Sequence, residues 1–123
     1  MMKKFIVIDK VIDIFMSLSG TEDFKDADVF CKTAAEVVES WIDNRKASEE
    51  HSYGICYLAA CLANYRYTLK KSLEPVNIKA GDISIETADK SAVSAAKVLY
   101  EDALQSVYHL LKLKRFAFKS IGV

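Results

Sequence analysis

The sequence predicts an all-α fold of about four helices packed around a central helix that runs from about Glu49 to Ser72. One proline and four glycines in 123 residues leave long uninterrupted stretches, which favours helices over a turn-rich β fold. Apolar residues recur at helical spacing in four segments of the chain. The segment YGICYLAACLANYRYTL (53–69) is apolar on nearly every side, which is typical of a helix buried by neighbours in several directions.

Length and composition indicate one helical domain, residues 1–123. Hydrophobic residues make up 51% of the chain and charged residues 28%, an ordinary balance for a folded globular protein. A chain of 123 residues is long enough to bury a core without disulfides or metals. Residues 114–123 are a candidate for an extended C-terminal tail.

The first two helices are predicted over about residues 5–18 and 26–45. In both segments apolar residues repeat every three or four positions, with charged residues on the opposite face. Gly20 is a suitable stop for the first helix, because glycine readily adopts the left-handed conformation that ends many helices. Thr21 and Asp26 are alternative caps for the second helix.

The sequence predicts both where the central helix begins and that it is buried. Ser48 is a good N-cap, followed by Glu49 and Glu50 where the helix dipole favours acids. The apolar run is 17 residues at most, and it carries Asn64 and Arg66. It is therefore expected to lie in a protein core and not in a membrane.

Residues 76–87, VNIKAGDISIET, are predicted to form a short β-hairpin or an extended loop. Val76 and Ile78 alternate with polar residues, Ile83 and Ile85 do the same, and Gly81 lies between the two pairs. A lone two-stranded hairpin is marginally stable. We therefore expect it to pack on this domain or on another subunit.

The fourth helix is predicted over about residues 88–113. Its apolar stripe contains Val93, Ala96, Tyr100, Ala103, Val107, Leu110 and Leu111. The chain then continues as LKLKRFAFKSIGV, in which Phe116 and Phe118 stand among basic residues. The hairpin and this tail both carry apolar residues that a four-helix core does not obviously cover, and such exposed patches tend to mark interfaces. The alternative, that both fold back onto their own domain, stays open.

The charge is balanced overall but divided along the chain. Residues 1–52 hold 11 acidic and 7 basic residues, whereas residues 53–123 hold 6 and 10, so the two parts carry net charges of −4 and +4. Ordinary surface variation and head-to-tail association of copies both explain this division. Three cysteines without regular spacing argue for a reducing compartment and against a disulfide framework.

No constellation of residues suggests catalysis, a metal or a cofactor. The cysteines lie on apolar helices, where a free thiol is usually a small hydrophobic side chain. His51 is interpreted as a solvated surface residue and His109 as a packed or half-exposed one. No nucleophile, base and oxyanion donor come together in a recognisable motif, so we expect no enzymatic activity.

Nucleic-acid binding is the main alternative to protein contact. Residues 112–119 place four basic side chains around two phenylalanines, and Lys70 and Lys71 form a second small cluster. A net charge of zero argues against a dedicated DNA-binding protein, because phosphate neutralisation dominates that affinity. Contact with DNA therefore stays a weakly supported alternative, as an accessory in DNA packaging or regulation.

The order of sequence features resembles the small helical head–tail connector, or adaptor, proteins of tailed phages and prophages. The matching features are a helix ending in MSLSG, then TAAEVVESWI, then a tyrosine-rich helix ending in ANYRYTL. An AGDISI loop, an alanine-rich helix with LYEDAL and HLLK, and a short FAF tail follow. These motifs cover most of the chain and are structural, not catalytic.

The resemblance implies a structural virion assembly protein, without cofactor or enzymatic activity. Such a subunit would form a ring-like homo-oligomer and dock to portal and neck proteins, in the host cytoplasm during assembly and then in the virion neck. Ile83 and Ile85 would be candidates for subunit or portal contacts, and Arg115, Phe116 and Phe118 for docking of the tail. Connector, head-completion and accessory roles stay open.

Overall fold

The computed structural model describes residues 5–73 and 82–112, and for residues 82–90 it describes the backbone alone. Within these ranges the chain forms four α-helices, in agreement with the predicted all-α fold. They are α1 (Ile8–Ser19), α2 (Phe24–Trp41), α3 (Ser52–Leu73) and α4 (Asp82–Ser106). Two short 3-10 turns, Glu49–His51 and Tyr108–Leu110, precede α3 and follow α4.

Helix α3 is the centre of the core, as the sequence predicts. Helices α1, α2 and α4 each pack against it, and α1 also packs against α2. Ile55, Leu58 and Ala59 have no exposed surface. Gly54 allows the residue that follows α4 to come close, because a Cβ atom at position 54 would lie only 3.3 Å from Cγ1 of Val107. Small residues on α3 thus let its neighbours approach closely.

The ends of α1 and α2 are fixed by local hydrogen bonds. Gly20 adopts φ +76°, and its N–H donates to the Met16 carbonyl at 2.9 Å, which confirms the predicted stop. The cap of α2 was predicted at Thr21 or Asp26, but it is Asp23. Its Oδ1 accepts the N–H groups of Lys25 at 2.9 Å and of Asp26 at 3.4 Å. Asp23 thus accepts two of the N–H groups at the start of α2 that have no partner within the helix.

Helices α2 and α4 both end earlier than predicted, at Trp41 and Ser106, and the segments that follow them pair with each other. Ile42 is extended and forms an antiparallel bridge with Leu111. The Lys112 N–H donates to the Trp41 carbonyl at 3.0 Å, and the Asp43 N–H donates to the Leu110 carbonyl at 2.8 Å. We call this pairing of 41–43 with 110–112 the C-terminal clasp.

The predicted hairpin is wrong in its second half. Residues 82–87 form the first turns of α4 and not a strand. Residues 76–81 lie outside the described residues. Two isoleucines two positions apart are too short a pattern to distinguish a strand from a helix. Asp82, at the first position of the helix, is of the residue type that a helix N-terminus favours.

Replacement of Leu62 in the middle of α3 by Ala tests the position of the core. Its side chain is 5% exposed, so L62A should lower the free energy of unfolding by ~2–5 kcal/mol, because the truncation removes buried methyl groups and leaves a cavity. Urea unfolding followed by circular dichroism measures this change.

The matched control is Leu73→Ala at the end of the same helix, where the side chain is 80% exposed. This variant should differ from the wild type by about 0.5 kcal/mol at most, as for most surface substitutions. Equal effects of the two substitutions would show that the core does not lie where the structure places it.

Candidate functional site

The residues predicted to make protein contacts lie at or beyond the edge of the described chain. Ile83 and Ile85 fall in the first two turns of α4, and their side chains are not described. Arg115, Phe116 and Phe118 lie outside the described residues. The structure therefore shows that Ile83 and Ile85 lie on a helix. The protein contacts of all five residues stay a prediction.

The C-terminal clasp holds the last described residues of the chain against the end of α2. Leu110 is 1% exposed and Leu111 is completely buried, so this segment is part of the core. Lys112 is bonded to the last residue of α2, and residues 113–123 continue from that point. Lys112, the last described residue, thus lies at the C-terminal end of α2.

Helix α4 has one face without a partner in the described chain. Its inner face carries the buried Ala96, Ala103 and Leu104, which lie towards α3. The opposite stripe is exposed. We define this outer face of α4 by Ser91, Ala95, Val98 and Asp102. Val98 is its largest apolar side chain and is 63% exposed, although an apolar side chain gains from leaving water.

Other exposed apolar side chains are scattered over the surface. They are Val7, Phe24, Val29, Tyr53 and Leu73. Single exposed apolar residues are normal in folded proteins and need no partner. Leu73, at the end of α3, has the highest exposed fraction, 80%.

The three cysteines are free and buried, as their apolar surroundings predict. Burial, together with the nearby charge of Asp28, raises the pKa of the Cys31 thiol to about 12. Burial likewise raises the pKa of the Cys61 thiol to about 11. The sulfur of Cys56 accepts the Val7 N–H at 3.3 Å and so helps to hold the segment before α1. Because a thiolate is the reactive form, Cys31 and Cys61 are poor nucleophiles.

His51 is not the solvated side chain that its acidic neighbours suggest. Its Nδ1 accepts the Ser48 N–H at 3.0 Å, and the Ser48 side chain in turn caps the turn, so the two residues form a capping box. Ser48, predicted as the N-cap of the central helix, is the N-cap of the 3-10 turn Glu49–His51, and α3 itself begins at Ser52. The motif S-x-x-H is the signal that sequence reasoning missed, because histidine here takes the place usually held by Glu or Gln.

The two histidines of the chain lie side by side. The rings of His51 and His109 have centroids 5.8 Å apart and are inclined by 77°. This contact joins the turn before α3 to the turn after α4, and nothing in the local sequence predicts it. No third His, Cys, Asp or Glu completes a metal-binding group with them in residues 5–73 and 82–112.

Residues 5–73 and 82–112 contain no helix that is both long enough and apolar enough to cross a bilayer.

Comparisons of the sequence with protein-family models and with characterised proteins, and of the fold with solved structures, found no match. The resemblance to head–tail connector proteins therefore depends on the sequence motifs alone.

The raised thiol pKa values predict slow chemical labelling of the native protein. At about pH 8 the native Cys31 and Cys61 should be thiolate in roughly one molecule per thousand or fewer, and burial further hinders access of Ellman's reagent. We expect negligible labelling in native buffer and three reactive thiols per chain in denaturant. Rapid reaction of any thiol without denaturant would contradict the buried positions.

Proposed function

We propose that this chain is a structural assembly subunit of tailed phages or prophages, of the head–tail connector type, which acts by oligomerisation and by docking to portal or neck proteins. The order of its helices and motifs supports this proposal. Its helical fold is compatible with it, although many other helical proteins share that fold class.

The outer face of α4 is the observation that carries the oligomerisation part of the proposal. Val98 lies opposite the buried stripe of the helix and is 63% exposed. Ser91 and Ala95 on the same stripe are small, so another helix could approach closely. A second copy that covers this face would remove Val98 from water.

The charge division supports contact between copies. Residues 1–52 carry a net charge of −4 and residues 53–123 carry +4, so different parts of two copies attract each other. A heterologous contact of this kind closes into a ring when its rotation allows it. The clasp fixes Lys112 at the end of α2, and the other basic residues of the segment 112–119 follow it in the sequence.

Replacement of Val98 by Asp should weaken self-association. A charge on the outer face of α4 would have to be buried without a partner in the assembly, which we expect to raise the dissociation constant about tenfold or more. Sedimentation equilibrium over a range of protein concentrations, at low and at moderate salt, measures this constant.

The matched control is Val29→Asp on α2, because Val29 is 61% exposed and loses the same groups. It should associate like the wild type, and both variants should keep the wild-type helix content by circular dichroism. Wild-type protein that stays monomeric at high concentration, alone and with a portal protein, would overturn the proposal. Equal weakening by both substitutions would rule out the outer face of α4 as the interface.

Nucleic-acid binding is the second candidate, favoured by the basic residues of the segment 112–119. It predicts binding to duplex DNA with an affinity that falls steeply as salt is added. Binding releases the counterions condensed on the DNA phosphates, and a higher salt concentration opposes that release. An electrophoretic mobility assay at low salt tests this directly. The absence of any shift would remove this candidate.

A further inference from the structure

We infer that two copies of this chain pair through their outer faces of α4, with the two helices antiparallel about a two-fold axis near position 99. The inference rests on the self-association in the proposed function, and it names the surface that covers Val98. That surface is the same face of the second copy. A two-fold contact joins copies only in pairs, so it is separate from the heterologous contact that would close a ring.

The outer face of α4 has room for a second helix in the described part of the chain. Helix α4 packs against α3 through its inner face. On the opposite side Val98 is 63% exposed, and the exposed residues around it are small, namely Ser91, Ser94 and Ala95. Small side chains let two helices approach to about 8–10 Å between their axes. The two Val98 side chains would then shield each other from water.

Two opposite charges lie along one edge of this face. At about 100° per residue, Lys97 and Glu101 lie on the same side of Val98, about one turn apart. Both side chains are exposed, and in the described part of the chain neither forms an ion pair. Each is therefore available to an opposite charge on a second copy.

The position of Asp102 on the outer face favours the antiparallel direction. In a parallel two-fold pair each residue at the centre of the face lies level with its own copy, so the two Asp102 carboxylates would meet and repel each other. In an antiparallel pair about position 99 they are about 9 Å apart along the axis. The same edges of the two helices then meet, and Lys97 of each copy lies level with Glu101 of the other. Two reciprocal ion pairs flank the contact between the Val98 side chains.

Cysteine substitution at position 98 tests whether the face pairs with itself. In the proposed register the two copies of this position are offset by about 3 Å along the axis, which leaves their Cα atoms about 4.5–6 Å apart. A disulfide spans this separation. Val98→Cys should therefore form a cross-linked dimer under mild oxidation with diamide. Non-reducing gel electrophoresis measures the dimer, and mass spectrometry identifies the peptide that joins position 98 to itself.

The matched control is Val29→Cys on α2, because Val29 is 61% exposed and lies on another helix. It should give at most about a tenth of the cross-linked dimer, since its two copies are not held within reach of a disulfide. The wild type should give none, because its three cysteines are free and buried.

Charge reversal tests the direction of the pair. Lys97→Glu and Glu101→Lys should each raise the dissociation constant about tenfold at low salt, because each places like charges level with each other twice in the pair. The double variant restores both ion pairs with the charges exchanged, so its dissociation constant should lie within about threefold of the wild-type value. Sedimentation equilibrium measures these constants, and circular dichroism shows whether each variant is folded.

The outcomes separate this inference from the proposed function. Wild-type protein that stays monomeric would overturn both. Wild-type protein that associates, while Val98→Cys cross-links no better than Val29→Cys, would overturn the inference alone, because the copies then meet through another surface. Cross-linking at position 98 without recovery in the double charge variant would contradict the antiparallel register. Cross-linking together with recovery supports it.

Discussion

Burial of α3 on several sides is the constraint on which the rest of the structure depends. A helix that is apolar nearly all round is stable in water only when neighbours cover it. Here α1, α2 and α4 each pack against it, and Leu58, Ala59 and Ala60 are completely buried. The glycine and alanines of α3 allow these helices to come close. The positions of the other elements follow from the need to cover this one helix.

This arrangement leaves function to the outer surfaces. The residues of α3 that first suggest chemistry are its two cysteines, and both lie buried in packing contacts. Within the described residues, the outer face of α4 is exposed. It belongs to residues 53–123, the part of the chain that carries the excess of basic residues.

The sequence was sufficient to predict the helices and most of their inward faces, because each pattern is local and repeats over several turns. It could not predict that α2 stops at Trp41, because the next residue, Ile42, pairs with Leu111 across a long stretch of chain. The contact between His51 and His109 is hidden for the same reason. The start of α4 at Asp82 was missed because a brief alternation of isoleucines fits both a strand and a helix. The contact residues at 83 and 85 and in the tail stay predictions.

Hydrogen exchange of the whole chain at low and high protein concentration is the most direct test of the central claim, that α3 holds the fold together, and of the proposal that a second copy covers the outer face of α4. Amides in the middle of α3 should exchange most slowly at both concentrations, through global unfolding. Amides along α4 should gain protection only in the concentrated sample. Faster exchange in the middle of α3 than in α4 of the dilute protein would contradict the account.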